Sequence, residues 1–296
     1  MIHTLDLNFL NVPGAIAAYC VPTENGAVLV ECGPMTVTDH LVEGLAALDL
    51  KPNDIKAVFL THIHFDHAGA AWWWAEQGAD VYVHPVGRPH LISPERLYGS
   101  ARRIYGDKME YLWGEMRPIV ESKVIEAADR QKIEVDGLSM VAHYTPGHAS
   151  HHIAWQMEEY VFSGDVGGVK IQNGPVVPPC PPPDIDLAAW AKSIERLQSL
   201  DIRRMYLTHF GPVEGIGDHL RKLQKRLNDY AEWVRPYAEK DADPALVMPE
   251  FIAFINSEFA ELGLSEADAA AYQAANPPEM SLSGLMRYWH KHGLQA

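Results

Sequence analysis

Thr61-His62-Ile63-His64-Phe65-Asp66-His67-Ala68-Gly69 places four metal-competent side chains within six residues. The stretch follows directly on Lys56 to Leu60, an apolar run that reads as a short buried strand. An extended continuation alternates its side chains, which puts His62, His64 and Asp66 on one side. His67 then opens a helix that runs to about Gln77 and stops at Gly78. An apolar core has no use for three imidazoles and a carboxylate, and burying them is costly unless they are hydrated or hold a cation. Metal binding is therefore the expectation for this cluster.

Three later segments share one context: a strand end, a glycine and one ligand-type residue. They are Pro146-Gly147-His148, Ser163-Gly164-Asp165 and Thr208-His209-Phe210-Gly211. A lone loop histidine would carry little weight, but as a set beside the first cluster these three complete a site. There is also an internal echo, since Phe59-Leu-Thr-His62 and Tyr206-Leu-Thr-His209 are both apolar strands ending in Thr-His.

The surrounding pattern is α/β. Ala15 to Val21 and Ala27 to Glu31 read as strands joined at Pro22 to Gly26, Val37 to Leu48 as an amphipathic helix, and Val81 to His84 as a strand. Residues 85–118 read as one or two helices inserted over the core. Short strands follow at Val124 to Glu126, Gln131 to Val135, Ser139 to Tyr144, His152 to Gln156 and Tyr160 to Ser163. The proline-rich stretch from Gly174 to Pro183 must be irregular. Ile185 to Leu200 is a helix capped by Asp184 or Asp186, Arg203 to Leu207 is a last strand, and the pattern is helical from about Asp218 onward. The implied division is a catalytic unit over 1–217, with 85–118 inserted, and a helical subdomain over 218–296.

The order H-x-H-x-D-H, then G-H, G-D and a final strand-end His resembles the signature of the metallo-β-lactamase superfamily, as does Val28-Leu-Val-Glu31-Cys-Gly33 upstream. The resemblance spans roughly residues 1–215. It implies a four-layer αββα sandwich with two metals at one edge. One metal would take His62, His64 and His148, the other Asp66, His67 and His209, and Asp165 would bridge them. An all-nitrogen-and-oxygen set suits zinc, the first expectation at two ions per chain, and is compatible with iron or manganese. With a bridging hydroxide such a site carries a net charge of about +1. Metal-bound water titrates near pH ~7, which supplies a nucleophile without a protein one. Asp66 would orient that hydroxide, and Glu31 is a candidate for fixing a ligand imidazole from behind.

Composition narrows the partners. The formal net charge of −15 argues against nucleic acid and against an anionic membrane surface. No run of about 18 apolar residues suggests a span. The three cysteines, Cys20, Cys32 and Cys180, show no C-x-x-C spacing and read as reduced buried thiols. With no basic, apolar leader at Met1 to Leu10, the expectation is a cytoplasmic enzyme acting on a small molecule, with a homodimer compatible.

Other residues read as structural. His151 and His152 would point to opposite faces of a strand, so at most one nears the site. His84, His90 and His143 stand alone. Trp72, Trp73 and Trp74 cannot share one helix face. The run Arg221-Lys222-Leu-Gln-Lys225-Arg226 reads as a solvated helix face.

For the reaction, the full two-metal set and the helical C-terminal extension resemble glyoxalase II-like thioesterases and related carbonyl hydrolases. A lactonase of the acyl-homoserine-lactone type would carry a tyrosine shortly after the bridging aspartate, where Asp165 is followed here by Val-Gly-Gly168. An iron enzyme resembling persulfide dioxygenases would use only part of the set. A non-catalytic binding module would ordinarily have lost ligands.

Overall fold

The computed structural model describes residues 1–293. Two six-stranded sheets lie face to face. The first runs in chain order across β1 (His3–Asp6), β2 (Ala17–Pro22), β3 (Ala27–Val30), β4 (Ile55–Phe59), β5 (Asp80–Val83) and β6 (Val124–Glu126). Its first three strands are antiparallel and β3 through β6 are parallel. The second holds β7 (Lys132–Val135), β8 (Leu138–Tyr144), β9 (Ile153–Met157), β10 (Tyr160–Phe162), β11 (Arg204–Leu207) and β12 (Gly211–Val213), ordered β12-β11-β10-β9-β8-β7. Within it β10 and β11 are parallel and the other pairs antiparallel.

Side-chain alternation builds the layers. Tyr19, Val28, Val30 and Phe59 point from the first sheet into a core shared with Trp155, Phe162 and Tyr206 of the second. The intervening residues Cys20, Leu29 and Val58 point outward, onto Leu41 and Leu45 of helix α1 (Thr38–Ala46) and a helical layer beyond. Met205 and Leu207 point out of the second sheet toward Trp190, Ile194 and Leu197 of α7 (Leu187–Ser199). These four layers, helix–sheet–sheet–helix, are the sandwich expected from the motif.

The structure departs from the sequence reading in detail. The chain turns helical at Phe65, not His67, and forms two short helices, α2 (Phe65–Ala68) and α3 (Ala71–Glu76). The 85–118 segment holds three helices: α4 (Arg88–Ile92), α5 (Glu95–Tyr105) and α6 (Met109–Trp113). Asp186, rather than Asp184, caps α7 by accepting the Ala189 N–H at 2.9 Å. Edge strands β1 and β12 were not anticipated. After β12 come α8 (Ile216–Glu239), α9 (Pro244–Glu261), α10 (Glu266–Ala275) and α11 (Pro278–His292). Their buried residues, including Leu223, Phe251, Tyr272 and Leu285, join the same apolar cluster as α7 and the second sheet. No helix among the described residues is long and apolar enough to cross a membrane.

Candidate metal centre

Parallel pairing delivers the site. In β3/β4 and in β10/β11 the carboxyl ends of the strands finish at the same sheet edge, where open α/β sheets place their ligands. Glu31 follows β3, the 61–67 stretch follows β4, Asp165 follows β10 and His209 follows β11. The turn between β8 and β9 adds His148. The two sheets are tied together here: Ala17 donates its N–H to the Thr208 carbonyl at 2.8 Å, Ile153 to that of Thr61 at 2.7 Å, and the Trp155 indole to that of Leu60 at 2.9 Å.

All seven residues singled out from the sequence converge. His62, His64 and His148 form one group, Asp66, His67 and His209 a second, and His62, His67 and Asp165 connect them. His64 Nδ1 stands 2.8 Å from His62 Nε2 and 3.0 Å from His148 Nε2. The two oxygens of Asp165 divide between the groups. Oδ2 is 3.3 Å from His148 Nε2, while Oδ1 lies 3.3 Å from His67 Nε2 and 3.4 Å from His209 Nε2. Asp66 Oδ2 completes the second group, 3.6 Å from His67 Nε2 and 3.5 Å from His209 Nε2. Asp66 arrives from the first turn of α2 rather than by strand alternation.

Behind the ligand atoms, the opposite ring nitrogen is anchored in four of the five imidazoles. His67 Nδ1 meets Glu31 Oε1 at 2.9 Å, His148 Nδ1 the Pro179 carbonyl at 2.8 Å, His209 Nδ1 the Ala15 carbonyl at 2.8 Å, and His62 Nδ1 the Thr61 hydroxyl at 3.1 Å. Each anchor takes an Nδ1–H, so that in the neutral ring the Nε2 lone pair faces inward. His67 Nε2, His209 Nε2 and Asp165 Oδ1 are buried without a hydrogen-bond partner. Such orphans carry a desolvation cost that a cation would remove. Tetrahedral zinc with bonds of about 2.0–2.1 Å sets its ligand atoms about 3.3 Å apart, and the observed spacings lie close to that. The residues present therefore fit a two-cation centre.

Protonation follows the same layout. Burial, reinforced by the His67, His64 and His148 rings, pushes His62 well below the usual imidazole range. Burial brings His64 down to about 4. Burial alone would raise the Asp66 carboxyl, but the His67 and His209 imidazoles overcome it and hold it at about 2. His67, opposed by burial, is raised by the carboxylates of Asp165, Asp66 and Glu31.

Glu31 is the hub of the site. It is fully buried, and its Oε1 accepts from the Thr61 hydroxyl, from the Thr208 hydroxyl at 3.2 Å and from His67, while Oε2 accepts the Thr61 N–H at 3.2 Å. The Thr-His echo thus has a physical meaning, because both threonines converge on one carboxylate. Glu31 itself adopts φ 65°, a left-handed conformation that non-glycine residues rarely take.

Two residues read as structural lie closer to the site than expected. His151 and His152 precede β9 in a turn, so strand alternation does not apply, and both rings are buried beside His62, with centroids at 6.1 and 5.1 Å. His152 Nδ1 meets the Thr145 hydroxyl at 2.8 Å, and its Nε2 packs on Gly164, where a Cβ would overlap it. The adjacent His-His pair was the only signal for this in the sequence. His143, by contrast, binds Gln156 at 2.8 Å away from the cluster. Trp72 and Trp74 are core residues, with Arg117 stacked on Trp72. Arg221, Lys222 and Lys225 form exposed ion pairs with Asp218 and Asp229, whereas the half-buried Arg226 turns inward to the Val176 carbonyl.

His64 and Asp66 are the only members of the seven not fully buried, which marks the open side. Phe65 between them contacts Tyr98 of α5 and Trp113 of α6, with ring centroids 6.2 Å away in each case. The inserted helices therefore pack against the residue between the two partly exposed members of the cluster.

This fold, with its buried histidine and aspartate groups able to hold metal ions, is that of a known superfamily, and comparison with known proteins agrees. The family model for the metallo-beta-lactamase superfamily matches residues 11–209, and the chain belongs to that superfamily. It is 27% identical over 229 residues to the metallo-beta-lactamase fold-containing protein ST1585 of Sulfurisphaera tokodaii, covering 75% of this chain and 84% of that one. The crystal structure of ST1585 superposes with a TM-score of 0.61 at 26% identity, over 74% of this chain and 84% of that one. Two relatives carry named activities. The atrochrysone carboxyl ACP thioesterase of Aspergillus fumigatus is 29% identical over 59% of this chain and 43% of its own length. The N-acyl homoserine lactonase of Bacillus cereus is 28% identical over 49% of this chain and 58% of its own length.

Proposed function

We propose that this protein is a dinuclear metal-dependent hydrolase that cleaves the acyl bond of a small-molecule thioester or ester, in the manner of glyoxalase II-like enzymes. One observation carries the reading: the two carboxylate oxygens of Asp165 face two separate ligand groups, each complete on its own. His62, His64 and His148 would hold one divalent ion and Asp66, His67 and His209 the other, with zinc the favoured metal. Bound there, such ions lower the pKa of water and polarise an acyl carbonyl.

This chain's own residues do the rest. The Asp66 carboxylate, ionised and partly exposed on the open side, would accept a hydrogen bond from the attacking water and fix its direction. Glu31, Pro179 and Ala15 hold three imidazoles in the tautomer that presents Nε2. Tyr98, half-buried against Phe65 on the inserted helices, would border the acyl group. The named thioesterase and lactonase relatives support acyl transfer to water as the reaction class.

The test combines metal content with a panel of thioester, ester, lactone and phosphodiester substrates. Turnover of thioesters or open-chain esters is expected. Exclusive lactone turnover would move the assignment to a lactonase, and oxygen consumption on a persulfide with a single iron would replace it.

A further inference from the structure

The stretch Pro178-Pro179-Cys180-Pro181-Pro182-Pro183 has one backbone N–H among six residues, that of Cys180, because proline carries none. Such a segment cannot hold itself by backbone pairing, yet the Pro179 carbonyl is the group that orients His148. What fixes the loop lies about 100 residues further on. The Cys180 N–H donates to the Ser281 hydroxyl of α11 at 3.2 Å. Ser281 donates in turn to Asn276 Oδ1 at 3.1 Å, and the Asn276 amide donates back to the Pro178 carbonyl at 3.3 Å. This relay closes on the residues either side of Pro179. Gly284, one helical turn beyond Ser281, sits against the Cys180 carbonyl so tightly that a Cβ there would overlap its oxygen. Upstream in the same loop, the Tyr272 hydroxyl donates to the Pro175 carbonyl at 2.6 Å. Ser281 and Gly284 are both buried.

We propose that the C-terminal helix α11 sets the metal affinity of the His62–His64–His148 group, by clamping the 178–180 loop whose Pro179 carbonyl holds the His148 ring. Ser281, Asn276 and Gly284 are positioning residues in this scheme. They touch neither substrate nor metal and act through His148. The inference rests on the metal-centre reading above and adds to it a role for a helix that lies beyond the family match at residue 209.

Cobalt(II) titration of the metal-stripped full chain, followed by d–d absorption, tests it. The uptake step lost in His148→Ala belongs to this group. In Ser281→Ala and Gly284→Ala that step is expected to weaken by about 10-fold, the lower end of what loss of an orienting partner costs, with the other step unchanged. Trp289→Phe is the control. It removes the 2.7 Å bond from the α11 indole to the Ala231 carbonyl of α8 without touching the loop, and both steps should persist. Should Gly284→Ala not fold, Ser281→Ala carries the test, since it removes one hydroxyl and adds no bulk. The proposal is overturned if both steps are unchanged in Ser281→Ala, or if Trp289→Phe weakens the same step equally. A wild-type chain that takes up no cobalt overturns the metal-centre reading and the clamp with it, and the two failures are distinct.

Discussion

Replacing Glu31 with Gln changes one oxygen to an amide nitrogen at the centre of the site. All four groups around this carboxylate donate hydrogen bonds: the Thr61 N–H and hydroxyl, the Thr208 hydroxyl and His67 Nδ1–H. A glutamine can satisfy at most the three that share Oε1, and its NH2 then faces the Thr61 N–H, donor against donor. A buried donor left unmade costs about 1–3 kcal/mol, and the loss of charge on the remaining bonds adds to it. We expect the metal-free chain to lose about 2–3 kcal/mol in urea unfolding. The backbone strain at φ 65° stays, since glutamine is no happier there than glutamate. The His67 ring would also lose the carboxylate that fixes its tautomer, so affinity at the Asp66–His67–His209 group should fall ~10–100-fold. Unfolding curves and a metal titration on the same preparation read both effects. Unchanged metal affinity in a variant that has lost stability would show that Glu31 is a packing residue, and the reasoning about the hub would be wrong.

Other expectations follow from the same geometry. Asp66→Ala should lower turnover by at least ~100-fold with secondary structure intact by circular dichroism, because it removes a carboxylate that no neighbour replaces; full activity would refute the site assignment. Tyr105 of α5 lies beside Trp113, with ring centroids 5.3 Å apart, and its only hydrogen-bond partner among the described residues is the Met280 sulfur at 4.0 Å. Tyr105→Phe should raise KM a few-fold with metal content unchanged; unchanged steady-state kinetics would refute a substrate-bordering role for the insertion. His219 is buried, and its Nε2–H bonds to the Gly167 carbonyl at 2.8 Å, in the turn that carries Asp165. Burial lowers it to about 4, so the folded chain resists its protonation while the unfolded chain accepts a proton near pH 6.5. Its stabilising contribution is complete above about pH 6.5 and declines as pH falls toward 4, by roughly 2 kcal/mol at pH 5. His219→Gln should remove that part of the acid sensitivity in urea titrations at pH 7 and pH 5; equal acid sensitivity in both proteins would refute it.

The ligand cluster was legible because its chemistry is local: His62, His64, Asp66 and His67 are adjacent in the chain, and His148, Asp165 and His209 each follow a strand that ends at the same edge. What escaped was set by tertiary context. Helix α2 begins at Phe65, and this turn brings Asp66 and His67 to one group, which residue alternation does not reveal. Strand β12 contains Gly211 and Pro212 and reads as a turn. It forms only because it lies at a sheet edge, where a proline need not donate on its outer side. The burial of His151 depended on β9 starting at Ile153 rather than His152. Arg226 looked like one more charge on a solvated face, and its partner is a loop carbonyl 50 residues earlier.

Metal stoichiometry of the full chain tests the central claim most directly. Elemental analysis after purification and re-metallation is expected to give two divalent ions per chain, falling to one or fewer when the Asp165 bridge is removed in Asp165→Ala. One tightly held ion in the wild-type chain, unaffected by loss of Asp66 or His209, would contradict the dinuclear reading, and no bound metal under any loading condition would contradict the metal centre altogether.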